Sequence, residues 1–65
     1  MSDAQASPAE KLVHDVNSKT SSLRTAAAMV KDASDAEAAE LLTLMTEQTR
    51  KLADAVAAYR RARGL

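Results

Sequence analysis

Sixty-five residues without a cysteine allow one small domain with neither a disulfide staple nor a thiolate metal site. Nine basic and nine acidic residues give a net charge of zero, which leaves no electrostatic footprint for nucleic acid or an acidic membrane. A chain this short buries little surface by itself and gains stability by oligomerising.

One glycine, one proline, abundant alanine and a single aromatic residue, Tyr59, make an all-α composition. The longest apolar runs, Ala26 to Val30 and Ala55 to Tyr59, fall far short of the roughly 20 residues that span a bilayer. The first residues lack the charged and apolar regions of a signal peptide. A cytoplasmic protein with no membrane segment is expected.

Residues 1–7 are small and polar without periodicity and read as a flexible tail. Ser7-Pro8-Ala9-Glu10 is then a helix start. Ser7 can cap, Pro8 stands where a missing N–H costs nothing, and Glu10 completes a capping box. A first helix is expected over about 8–31. Its residues Leu12, Val16, Lys19, Leu23, Ala26 and Val30 alternate spacings of four and three, a heptad row, with Ala27 beside it and Val13 and Thr20 at its margin. Lys19 has to snorkel from that row.

A turn is expected over about 32–34. Ser34-Asp35-Ala36-Glu37 forms a second capping box, opening a helix over about 35–63. In it Ala38, Leu41, Leu42, Met45, Leu52, Ala53, Val56 and Tyr59 make a wide stripe with Thr49 inside, extended by Leu44, Ala55, Ala58 and Ala62. Arg60, Arg61 and Arg63 suit the negative helix end, and Gly64 suits its termination. The short connection predicts antiparallel helices. Stripes this broad cannot cover each other within one hairpin, so residues 8–63 are expected to form an antiparallel helical hairpin that homodimerises into a four-helix bundle.

The one histidine, His14, lies roughly 160° round the helix from the centre of the apolar row. Ser18, Ser21 and Thr25 share its side, with Ser22 adjoining, so about three turns around it are small, polar and uncharged. A lone histidine on a polar helix face is ordinarily incidental. A face of small side chains around an exposed nucleophile is also what a docking partner requires. An unprotonated imidazole nitrogen can accept a phosphoryl group, Asp15 could orient the ring or take its proton, and Asn17 or Ser18 could contact the incoming group. The chain has no phosphate-cradling glycine loop and no acidic metal cluster, so Mg²⁺ and the phosphoryl donor are expected from a partner. One histidine without suitably spaced ligands makes a metal site of its own improbable, and two helices offer no oxyanion hole for a hydrolase.

The run His14-Asp15-Val16-Asn17-Ser18-Lys19 resembles the phosphoacceptor box of sensor histidine kinase dimerisation domains and histidine-phosphotransfer domains. One branch reads His-Asp-apolar-Asn-Asn-Lys/Leu-Leu-Thr, followed shortly by Ile or Leu. His14, Asp15, Val16, Asn17 and Lys19 match directly, and Ser21 and Leu23 match in character. The resemblance covers about Pro8 to Arg60. It implies a homodimer in which His14 is phosphorylated and exchanges the group with an aspartate of a response regulator receiver domain, in a two-component phosphorelay. It further implies Asp15 as general base or orienter, and Ser18 at the position linked to dephosphorylation of the partner. Ser18 departs from the usual Asn or Thr, and Thr20 from an expected Leu. No residues remain for the ATP-binding domain that kinases carry downstream, so the chain is expected to be a phosphocarrier or kinase dimerisation domain rather than an autonomous kinase. A separate histidine kinase or ATP-binding domain is the second expected partner. The competing expectation is a non-catalytic dimeric docking module that regulates a receiver or kinase through Ser18, Ser21, Ser22 and Thr25.

Overall fold

The structure is a computed structural model and describes residues 7–65; the tail expected over residues 1–7 lies, but for Ser7, outside the described residues. The described residues contain two helices and no strand: α1, Pro8–Val30, and α2, Asp35–Arg63. Both begin on capping boxes. The Glu10 N–H donates to Ser7 Oγ at 3.1 Å while the Ser7 N–H donates to Glu10 Oε1 at 2.9 Å. Ser34 and Glu37 repeat the exchange at 3.2 and 3.0 Å. Each box satisfies two backbone donors that the helix itself leaves free.

The helix ends differ. After Val30 the chain keeps helical torsions at Lys31 and tightens, with the Asp32 and Ala33 N–H groups donating to the Met29 and Val30 carbonyls at 3.4 and 3.2 Å. At the end of α2 the Gly64 N–H donates to the Arg61 carbonyl at 3.2 Å and the Leu65 N–H to the Arg60 carbonyl at 2.9 Å. This paired closure needs a left-handed residue, and Gly64 supplies it at φ 71°.

The short link folds the helices back on each other antiparallel. At one end Pro8, Lys11 and Leu12 stand beside Ala55, Ala58 and Tyr59; at the other Met29 and Ala33 stand beside Leu41 and Leu44. The α1 side of the seam is the heptad row itself. Leu12, Val16, Lys19, Leu23 and Val30 are half-buried, and Ala26, at 5% exposure, is the one fully buried residue among those described. Thr20 joins the seam, whereas Val13 and Ala27 stay exposed.

On α2 the seam is rotated from the expected stripe. Ala38, Leu41, Met45, Gln48, Leu52, Ala55 and Tyr59 are half-buried, again at alternating spacings of three and four. Leu42, Thr49, Ala53 and Val56 lie outside it and are exposed. Apolar residues occupy so much of this helix's circumference that periodicity fixes no centre. Packing against α1 chooses one, and places the amide Gln48 on it. Among the described residues no helix is long and apolar enough to cross a membrane.

Two outcomes follow. Leu52→Ala should lower stability by about 2 kcal/mol, the lower end of the leucine range because the side chain is only half-buried, measurable by chemical denaturation. The hydrogen bonds from the backbone N–H and the side chain of Ser34 hold the Glu37 carboxyl below its ordinary value of 4.5. Because the folded value is depressed, this cap's contribution is present above pH 4.5 and is lost as the pH falls through the depressed value. Glu37→Gln should therefore flatten the acid limb of the thermal-stability profile.

Candidate functional site

His14 lies in the second turn of α1 and is exposed, on the side away from the seam. Asn17, Ser18, Ser21, Ser22 and Thr25 are exposed with it. The helical repeat brings all but Asn17 and Ser22 close to the line of the histidine, and those two stand at its edges. The turns that follow His14 therefore carry a patch of hydroxyls and an amide without a charged side chain, short enough for another backbone to approach, while the turn before it carries the exposed Glu10 and Lys11.

Asp15 belongs to a different surface. One residue on means about 100° round the helix, and that step takes its carboxylate to the edge of the seam. There it accepts a bond from Lys11 Nζ at 3.3 Å, with 25% of its side chain exposed against 75% for Lys11. Lys19, Lys51 and Asp54 line the same open cleft between the helices. The structure thus brings His14, Asn17, Ser18, Ser21, Ser22 and Thr25 onto one face and puts Asp15 beside it, paired elsewhere. Lys11 had not been singled out from the sequence, although its spacing of four before Asp15 is the spacing of helical ion pairs.

Three threonines of α2 are locally satisfied. Thr43, Thr46 and Thr49 hydroxyls donate to the carbonyls of Ala39, Leu42 and Met45 at 3.1, 2.9 and 2.8 Å. At the open end Arg63 Nη1 donates to the Tyr59 hydroxyl at 3.3 Å, and the guanidinium carbon stands 6.0 Å from the ring centroid. Among the described residues no three His, Cys, Asp or Glu side chains come together as a metal-binding group.

The chain matches no protein-family model, no curated protein and no solved structure. The site offers an accessible imidazole on helix α1, small polar side chains on the turns that follow, and a carboxylate one residue away.

Since His14 supports nothing in the fold, His14→Ala should leave the denaturation midpoint within about 0.5 kcal/mol of the parent. Lys11→Ala should cost no more than about 0.5 kcal/mol, as for an i,i+4 pair open to solvent. Thermal and urea melts of the two variants measure both.

Proposed function

We propose that the chain is a histidine phosphotransfer module of a two-component phosphorelay, working as a homodimeric four-helix bundle in the cytoplasm. It exchanges a phosphoryl group between His14 and an aspartate of a response regulator receiver domain. The observation that carries this reading is the exposure of His14 at the head of a face of small, uncharged side chains that runs along the following turns. The resemblance of His14 to Lys19 to a phosphoacceptor box supplies the reaction class.

Transfer to this chain runs in line. The unprotonated ring nitrogen attacks the phosphorus of an aspartyl phosphate. The N–P bond forms as the acyl-phosphate P–O bond breaks, and the electron pair leaves on the receiver's carboxylate. A receiver-bound Mg²⁺ would supply charge neutralisation at the phosphoryl oxygens. The residues of this chain do the rest: helix α1 holds the imidazole at fixed height, and Asn17 and Ser18 offer polar contacts one turn from it. Ser21, Ser22 and Thr25 leave room for the receiver's surface. Phosphorylation from ATP would fall to a separate kinase or ATP-binding domain.

One observation favours a second reading. The Asp15 carboxylate is engaged by Lys11 at the seam. A chain that only docks a receiver or kinase, through Ser18, Ser21, Ser22 and Thr25, needs no carboxylate at the ring.

Incubation with a radiolabelled phospho-receiver separates the two. Acid-labile label should appear on this chain and be lost in His14→Ala, with the receiver still binding. Label that persists in His14→Ala, or no transfer from any receiver that binds, would refute phosphotransfer. Binding that survives His14→Ala with regulation intact is the signature of the docking module.

A further inference from the structure

Near the interhelical turn the hairpin leaves large apolar side chains open on one flank of the seam. Met29 of α1 is 56% exposed and Leu44 of α2 is 45% exposed. With the half-buried Ala33 and Leu41 they line a single open depression between the helices. Contiguous apolar surface with a polar border is the mark of a contact site.

The border carries one sign of charge. Asp32, Glu37 and Glu40 line the same depression. Glu47 is exposed three residues after Leu44 and seven after Glu40, and so continues the border along α2. The basic residues nearest in sequence are turned away, since Arg24 and Lys31 lie about 140° and 160° round α1 from Met29. Along the flank itself the first cation is Lys51, about 10 Å beyond Leu44, and it lines the other cleft.

Helix-end electrostatics account for only part of this border. Glu37 lies in the first turn of α2, where acid suits the helix dipole, and its carboxylate accepts the Ser34 N–H at 3.0 Å. Glu40 and Glu47 stand in the second and fourth turns, beyond that role. Among the described residues the only ion pair is Lys11–Asp15, so neither glutamate has a cation of its own. Nor do the acids converge, since no three His, Cys, Asp or Glu side chains form a metal-binding group among the described residues. They border an apolar floor instead of sharing an ion.

An apolar floor between acidic borders is complementary to a basic amphipathic segment, and it repels nucleic acid and anionic lipid. A groove between two helices admits a third helix laid along it. On α2, Glu40, Leu44 and Glu47 follow one another at spacings of four and three. A helix with an aliphatic anchor, and Lys or Arg three or four residues to either side of it, presents the matching pattern. The unbranched thioether of Met29 can adapt to the shape of that anchor.

We propose that the Met29/Leu41/Leu44 depression docks a basic amphipathic helix of a partner protein. An aliphatic side chain of that helix fills the depression, and its flanking Lys or Arg residues meet Glu40 and Glu47. This goes beyond the phosphotransfer reading and uses no chemistry of His14.

The probe is a synthetic amidated peptide of Lys, Leu and Ala, about 18 residues long so that it can hold a helix, with lysines three and four residues either side of each leucine. Titrated into the whole isotope-labelled chain, it should shift the amide resonances of Met29, Leu41 and Leu44 saturably. Leu44→Ser and Met29→Ser, at exposed positions, should each weaken binding about tenfold. Glu40→Lys with Glu47→Lys should weaken it severalfold, as should raising salt from about 50 to 500 mM. Leu42→Ser, on the opposite flank, should leave it unchanged. A scrambled peptide of the same composition should bind severalfold more weakly. No saturable shift, shifts centred elsewhere, equal binding of the scrambled peptide or indifference to Leu44→Ser would each overturn the proposal. Resonances of Met29 and Leu44 that respond to dilution of the chain and not to the peptide would make a second copy the occupant and overturn it as well. Transfer of label to His14 is read separately with the phospho-receiver, so failure of either reading leaves the other standing.

Discussion

Everything in this hairpin depends on one narrow seam. Two amphipathic helices can press only one row of side chains each against the other, and here that contact fully buries a single residue, Ala26, at 5% exposure. The flanking leucines, valines and Met45 are covered on the seam side and open on the other. A two-helix layer has no third element to close over them, so burial stops at the half-way mark. Apolar stabilisation grows with area removed from water, so each half-buried side chain contributes only part of what full burial would give. The elongated shape of the hairpin and its half-buried apolar residues thus have the same cause.

The seam also sets where reactive groups can stand. A residue in the row is committed to packing, and one about 160° away is free of it. His14 is in the second position. Its exposure costs the fold nothing, and Ser18, Ser21, Ser22 and Thr25 make the turns that follow it small and uncharged. Asp15 shows how sharply the geometry divides adjacent residues. One step along the chain turns it toward the seam's edge, where Lys11 holds it at 3.3 Å. Any role for this carboxylate in proton transfer requires that ion pair to open, an inexpensive event for a pair with three-quarters of its lysine in solvent.

Local hydrogen bonding supplies the determinants that packing does not. Two reciprocal serine–glutamate boxes start the helices, and Gly64 ends the second. The link between helices needs no left-handed residue, since Lys31 keeps helical torsions and two short-range bonds tighten the chain after Val30. The α2 threonines return their hydroxyls to carbonyls one turn back, so each donor is satisfied within the helix.

The elements and their caps were legible in the sequence, because capping chemistry is local and each box spans four residues. The seam row of α1 was legible too: from Leu12 to Ala26 the positions between its members are polar except Val13, and their heptad spacing favours one face. So was the isolation of His14 from that row. The seam of α2 was not, since its apolar residues cover most of the helix and periodicity cannot choose among Leu41, Leu42 and Leu44. Only contact with α1 selects the row through Leu41, Gln48 and Ala55, and turns Leu42, Thr49 and Val56 outward. The partner of Asp15 needed only the helix: adjacency to His14 places two side chains on different faces, while a spacing of four places Lys11 and Asp15 on the same one, so this pair was open to a reading of the sequence.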